Sequence, residues 1–279
     1  MGLVFVPTPL GNLRDVTLRA IDALRDAELI VAEDSRVARR LLNALEIGSK
    51  EIWTYHEHNA RTATAAILER AHVQRVAVVT DAGTPGISDP GSALVAAARE
   101  AGVPVEVLPG PAAFVAAAVL SGFDLRRFVF AGFPPRGGGA RRAAFRASLG
   151  ETTVWYEAPH RTRESLADLA EVAPSARVFL VRELTKLHEQ QVLGSPAEVA
   201  AALEDPVRGE VAFVVEGSAG AAPREERAGP EDVDRAIDAL LAEGLTTSAI
   251  AKRLADAGHG ERRHLYARVG ARRDELRSG

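Results

Sequence analysis

The chain contains no cysteine and a single methionine. The first absence excludes disulfides, thiolate metal sites and a cysteine nucleophile together, and it fits a reducing, cytoplasmic setting. Lysine is almost missing too: of 34 basic residues only Lys50, Lys186 and Lys252 are lysine, the rest being arginine. Aromatic residues make up 5% of the chain. No segment approaches the roughly 18 uninterrupted apolar residues that a membrane span needs. The opening MGLVFVPTP has no basic stretch and only a short apolar run before Pro7, so neither a signal peptide nor an anchor is expected there. A net charge of −4 over 279 residues is too mild to point to a nucleic-acid partner by itself.

What is present is ample apolar material, 47% of the residues, in a chain long enough for more than one lobe. Short apolar runs lie at 3–7, 28–34, 75–81, 104–109, 127–133, 152–158, 177–184 and 210–217. Most are continuous rather than alternating, as expected of strands covered on both faces. Helical spacing appears between them, as in Leu18, Ile21 and Leu24, in Leu94, Ala97 and Ala98, and in Leu166 and Leu169. This alternation predicts an α/β fold with mainly parallel sheets. The stretch SAGAAPREERAGPED (218–232) reads as a linker. Beyond it, Ile250 and Leu254, then Leu265 and Val269, predict two helices turning at Gly258, a helix-turn-helix-like unit. From Gly244 onward eight Lys and Arg stand against four Asp and Glu, so this end is basic and the remainder acidic. A solvated amphipathic cap explains the same pattern equally well.

The densest loop signal is TDAGTPGISDPG (80–91), between an apolar run and an alanine-rich helical stretch. It is not a P-loop, because no lysine lies near it, and it lacks the paired glycines of a dinucleotide fingerprint. Its prolines stiffen the path while its glycines permit turns closed to other residues. Alone, it reads as a structural crossover. However, VPTPLGN (6–12) and LPGPAA (108–113) follow two other predicted strands in the same way. Three such loops at strand carboxyl ends would gather on one sheet edge, where open α/β sheets bind ligands.

These loops, together with AEDSRVARRLL, YHEHN, FAGFPPR, WYEAPHR, RELTKLHEQ and GEVAFVVEG, occur in order from residue 6 to 217. In these segments the chain resembles the tetrapyrrole-methylase-like, class III S-adenosylmethionine methyltransferases. Within them it resembles the ribosomal RNA small subunit methyltransferase I family. The resemblance implies two α/β lobes, 1–111 and 112–220, with the cofactor S-adenosylmethionine in the cleft between them, and a helical RNA-binding appendage over 231–279. It also implies methyl transfer to the ribose 2′-oxygen of a decoding-centre cytidine in 16S ribosomal RNA, a 16S RNA or 30S subunit partner, and a homodimer. Leu10, Gly83, Thr84, Ile87, Ala112, Ala113, Tyr156 and Ala212 would line the cofactor site, and no metal is required. Position 112 departs from the family's usual serine, so a hydroxyl is missing there. Asp81 is counted with the cofactor site, although its fit, like that of Asp89, stays open between a contact to ribose or RNA and a turn-capping role.

Transfer to a ribose hydroxyl needs alignment of the oxygen with the bond being broken, and a proton acceptor or nearby positive charge. RELTKLHEQ concentrates the candidates: Lys186 and Glu183 first, then His188, with Arg182 and Glu189 suited to a salt-bridged strand end. A desolvated lysine can serve as base or can hold a developing oxyanion, which arginine does less readily. For RNA, the expected contacts are Arg36, Tyr55 or His56 stacking on a base, Asn59, Arg161 on phosphate, and Arg136 with Arg141 and Arg142 in PPRGGGARR, either a lid that tracks the backbone or equally a merely mobile surface loop. Asp34 with Arg36 could equally be a local ion pair. His-x-His at 56–58 has no third ligand at a recognisable spacing, so a metal is not expected. Two other readings share much of the sequence: the same fold acting on a tetrapyrrole or protein side chain, and a ligand-sensing nucleic-acid-binding regulator. The basic helical end and the RELTKLHEQ and EAPHR sets argue against a small-molecule substrate.

Overall fold

A computed structural model describes residues 1–217, 230–256 and 262–278, in two compact units, Met1–Ser218 and Ala219–Gly279. The first unit begins with a five-stranded sheet. Its strands are β1 (Gly2–Phe5), β2 (Leu29–Ala32), β3 (Glu51–Thr54), β4 (Arg75–Val79) and β5 (Val105–Val107), all parallel, in the order β3-β2-β4-β1-β5. The continuous apolar runs are explained by the sheet's two covered faces. Leu3, Phe5, Leu29, Val31, Val76 and Val78 pack under α3 (Ala60–Val73) and α4 (Gly91–Glu100). Val4, Val6, Ile30, Ala32, Ala77 and Val79 pack under α1 (Leu18–Asp26) and α2 (Ser35–Ala44). Alternate residues of one strand thus feed opposite cores. Each of the Val, Leu, Ile and Phe side chains contributes about 1.5–3 kcal/mol when fully buried.

β1 lies between β4 and β5, so the three Pro- and Gly-rich loops do leave the same sheet edge side by side. Thr8 and Gly83 lock two of them in a two-bond antiparallel bridge, at 2.9 and 3.0 Å. Gly83 adopts φ +84° there, a backbone conformation that favours glycine.

The second sheet holds β6 (Phe128–Gly132), β7 (Thr152–Glu157), β8 (Val178–Arg182), β9 (Gln190–Gly194) and β10 (Val211–Val215), in the order β6-β7-β10-β8-β9. Helix α5 (Ala113–Ser121) covers one face. The other face is covered by α6 (Gly138–Ser148), α7 (Thr162–Val172) and α8 (Pro196–Ala202). Only β6 and β7 are parallel here; β10 runs antiparallel to both its neighbours, and β9 to β8. The α/β class is as expected, with one parallel and one mixed sheet. The mixture arises because the connection 183–189 between β8 and β9 is too short for a parallel crossover. Sequence patterning misses β3 and β9. Both are edge strands, one with only two apolar residues in EIWT and one alternating in burial, so neither makes an apolar run.

Among its described residues the second unit holds three helices rather than two: α9 (Pro230–Ala242), α10 (Thr247–Asp256) and α11 (Arg262–Ser278). α9 starts inside the stretch read as linker and contributes Val233, Ile237 and Leu240 to a core with Ile250, Leu254, Leu265 and Val269. Its apolar residues are spaced at four and three, a pattern easily lost behind the preceding polar run. Arg268 and Arg272 of α11 pair with Asp234 and Asp238 of α9, each at 2.8 Å. The turn at Gly258 lies outside the described residues. Among the described residues no helix is long and apolar enough to cross a membrane.

Candidate active site

A cavity of ≈ 350 Å³ opens between the two sheets of the first unit, within the range of small-molecule and cofactor sites. One wall is built by the three glycine-rich loops and contributes Leu10, Gly83, Thr84 and Ile87, with Ala112 and Ala113 at the entry to α5. Thr84 Oγ1 donates to the Pro111 carbonyl at 2.8 Å, tying the loop after β4 to the loop after β5. Asp89 accepts from the backbone N–H of Gly86 at 2.9 Å and of Gly91 at 2.7 Å, so it caps the turn and the start of α4. Of the two aspartates left open by the sequence, Asp89 is therefore a turn cap.

The opposite wall comes from the second sheet. Tyr156 on β7 and Ala212 on β10 face each other in register and both line the cavity. The Tyr156 hydroxyl accepts the backbone N–H of Phe114 at 3.0 Å. Ala112, the N-cap of α5, makes no side-chain cap, so the tyrosine satisfies an amide in the first turn. Burial, with a smaller push from Glu210, raises the Tyr156 phenol above its usual value, so it remains neutral. Small and apolar surfaces with few carboxylates, Glu157 and Glu210 among them, suit a flat heteroaromatic ring joined to a cation.

Beside this wall stands the 183–189 connection. Lys186 Nζ donates to Glu183 Oε1 at 2.7 Å and to Glu210 Oε2 at 2.9 Å. Glu183 Oε1 also accepts the Glu210 backbone N–H at 3.1 Å, across the β8–β10 ladder. Two glycines make room for the cluster. A side chain at Gly209, φ +82°, would overlap the Glu183 carboxylate, and one at Gly11 would overlap the Lys186 stem. Glu183 itself takes φ +56° and Thr185 +65°, strain of a kind that collects at functional sites. Thr185 Oγ1 accepts the Asn12 N–H at 3.1 Å, linking this connection to the loop after β1. Burial alone would lower the Lys186 amine, but its bonds to Glu183 and Glu210 outweigh it and raise it. Burial would raise Glu183, yet the bonds from Lys186 and the Glu210 N–H hold it below its usual value. The pair is an ammonium and a carboxylate, not a neutral base and acid.

Residues 2–201 match the family of tetrapyrrole (corrin/porphyrin) methylases. Over 273 residues the chain is 40% identical to the ribosomal RNA small subunit methyltransferase I of Synechocystis sp., covering 95% of this chain and 96% of that one. The proteins of the same name from Micromonospora olivasterospora and Bacillus subtilis are 43% and 36% identical. They cover 90% and 95% of this chain and 79% and 93% of their own. The chain belongs to the ribosomal RNA small subunit methyltransferase I family. Among solved structures it is similar to a diphthine synthase, with a TM-score of 0.60 and 16% identity over 77% of this chain and 89% of that one, a likeness of fold. As a member of this methyltransferase family the protein uses S-adenosylmethionine, and the cavity's apolar walls and carboxylates fit such a ligand.

The structure brings Leu10, Gly83, Thr84, Ile87, Ala112, Ala113, Tyr156 and Ala212 together around the cavity. Asp81 is not among its lining residues. Its carboxylate accepts the Asp34 N–H at 3.2 Å, and burial with the neighbouring Glu33 raises it. The catalytic candidates Glu183 and Lys186 form one cluster, whereas His188 is exposed and apart from it.

Several RNA expectations need correction. Tyr55 is a core residue, 4% exposed, with its hydroxyl 3.2 Å from Thr64 Oγ1, so its ring cannot stack on a base. The Asn59 side chain staples its own loop, donating to the Thr54 carbonyl and accepting from the His56 N–H, both at 2.8 Å. Arg161 donates to the carbonyls of Pro134 and Pro135 at 2.8 and 3.1 Å and pairs with the buried Glu157, which leaves little of it for phosphate. The supposed lid is mostly helix α6, with Arg141 fully buried against Asp168 and Arg142 paired to the same carboxylate. Arg36 forms a forked pair with Asp34, the local partnership, but stays exposed; Arg136 is exposed, and His56 is half-buried with its ring edge-on to His58. Sequence reading missed Phe133 and Glu210 on the cavity wall, and noted Glu157 only within the polar EAPHR set. The signals for Glu210 were its place after a glycine at the start of an apolar run and its membership of the GEVAFVVEG segment, neither of which gives it a role.

Proposed function

We propose that the protein transfers a methyl group from S-adenosylmethionine to the ribose 2′-hydroxyl of a cytidine in the decoding centre of 16S ribosomal RNA, working as a cytoplasmic homodimer. The observation that carries this reading is the Lys186–Glu183–Glu210 cluster beside a cleft suited to a cationic cofactor, with Glu210 reaching the cleft wall. The names of the relatives support small-subunit ribosomal RNA as the substrate, and the cytidine ribose rests on the motif resemblance. When bound, the cofactor supplies an activated methyl group. The chain's own task is to align the acceptor oxygen, exclude water and take up a proton, and alignment alone contributes several kcal/mol. Lys186 enters as a protonated donor of hydrogen bonds, since its two carboxylates oppose deprotonation.

The basic residues of the second unit, including the exposed Lys252, Arg253 and Arg263, suit RNA backbone, and a tetrapyrrole would have little use for them. Helix α5 supports a dimer: it is apolar all round, packing Ala117 and Ala118 inward while Val115, Val119 and Leu120 remain exposed. The test is methyl transfer from radiolabelled cofactor to 30S subunits, and to free 16S RNA, from a strain lacking this modification. Label confined to one cytidine ribose is expected; failure on every small-subunit substrate would overturn the reading.

A further inference from the structure

Two carboxylates hold Lys186, and their surroundings give them different work. Glu183 is walled in. Its side chain is 20% exposed, backed by Gly209, and one oxygen already accepts from both Lys186 and the Glu210 N–H. It is absent from the cavity lining. Glu210 lines the cavity, its side chain is 67% exposed, and Lys186 holds only its Oε2. Among the described residues no donor holds its Oε1, and an ionised carboxylate can accept on both oxygens. The groups facing Glu210 are Lys186 and Glu183 from the 183–189 connection, Tyr156 on β7 and Asp81 in the loop after β4.

We propose that Glu210 is the catalytic proton acceptor and that Glu183 is a positioning residue that keeps Lys186 on Glu210. The assignment rests on the reading that the acceptor is a ribose hydroxyl. As the oxygen–methyl bond forms and the methyl–sulfur bond breaks, the electron pair of the broken bond neutralises the sulfonium and leaves a thioether. The hydroxyl proton passes to Glu210, which becomes a neutral carboxylic acid. An oxygen already bonding to methyl is far more acidic than a free hydroxyl, so a carboxylate suffices as acceptor. Lys186 cannot take this part, being held as an ammonium by the carboxylates on either side.

The test uses the full chain and the variants Glu210→Gln, Glu210→Asp and Glu183→Gln. Readouts are single-turnover methylation against pH, cofactor affinity by calorimetry, and titration of Lys186 by NMR with 13Cε-lysine, where three lysines give a simple spectrum. Expected for Glu210→Gln is a rate loss of at least about 100-fold and loss of the acid limb of the pH profile, with cofactor affinity within about threefold of the parent. Glu210→Asp should recover part of the rate. Glu183→Gln should slow the reaction yet keep the acid limb, and Lys186 should titrate lower in both glutamine variants than in the parent. A Glu210→Gln rate within about threefold of the parent, or a retained acid limb, overturns the assignment. Loss of cofactor affinity in step with rate also overturns it, assigning Glu210 to the sulfonium instead. A parent inactive on every small-subunit RNA removes the underlying reading, and the proposal with it; an active parent with an active Glu210→Gln removes the proposal alone.

Discussion

Lys186 shows how chemistry at the residue scale depends on partners far away in sequence. A lone lysine among arginines suggests a tunable amine, and two carboxylates instead hold it protonated. Glu183 is held ionised above its ordinary 4.5 and loses that support as pH falls through its lowered value. Lys186 contributes fully below its ordinary 10.5 and loses that contribution as pH rises through its raised value. The pair therefore stays intact across the neutral range. Lys186→Ala is expected to lower turnover on ribosomal RNA by about 100-fold or more, as does removal of a preorganised donor. Equilibrium dialysis should find cofactor affinity little changed; near-parental turnover would remove Lys186 from the site. Gly209→Ala should destabilise the protein by about 1–3 kcal/mol in urea titration, since it combines a left-handed φ with overlap on Glu183.

At the scale of elements, helix α6 replaces the expected mobile arginine lid. Its Arg141 is fully buried and anchors α6 to Asp168 and Glu164 of α7. Asp168 keeps Arg142 but loses its buried partner, so Arg141→Ala should cost about 1–3 kcal/mol of stability, read by denaturant unfolding. A protein of parental stability that binds RNA more weakly would restore the lid. Burial would raise Asp168, but Arg142 and Arg141 hold it below 3.8. Its contribution is thus present above that value and is lost as pH falls further, so acid unfolding of the variant should begin from a lower plateau. Glycines in the sequence suggest mobility here, while burial of Arg141 depends on α7, which follows more than a strand later.

For the whole molecule, the two units predict separable affinities. Removing Ala219–Gly279 should weaken binding to 16S RNA while leaving cofactor affinity intact, because every residue lining the cavity belongs to the first unit. Loss of cofactor binding in the truncated chain would contradict that separation. Val119→Glu places a charge on the exposed apolar face of α5 and should shift the protein from dimer to monomer in light scattering. An unchanged mass would move the proposed dimer surface elsewhere.

The cavity wall was legible in the sequence because its signals are local. Proline and glycine set the backbone within a few residues, and parallel strands announce themselves by continuous apolar runs. Gly83, Thr84 and Ala112 could thus be placed on one edge before any coordinates. Only the tertiary structure decided which polar residues are free to act. Tyr55 and Arg161 carry the right chemistry for RNA, yet one is a core residue and the other ties down a loop. Glu210 carried almost no signal and reaches Lys186 only because β10 lies against β8. Burial and pairing are sums over distant neighbours, and residue type records neither.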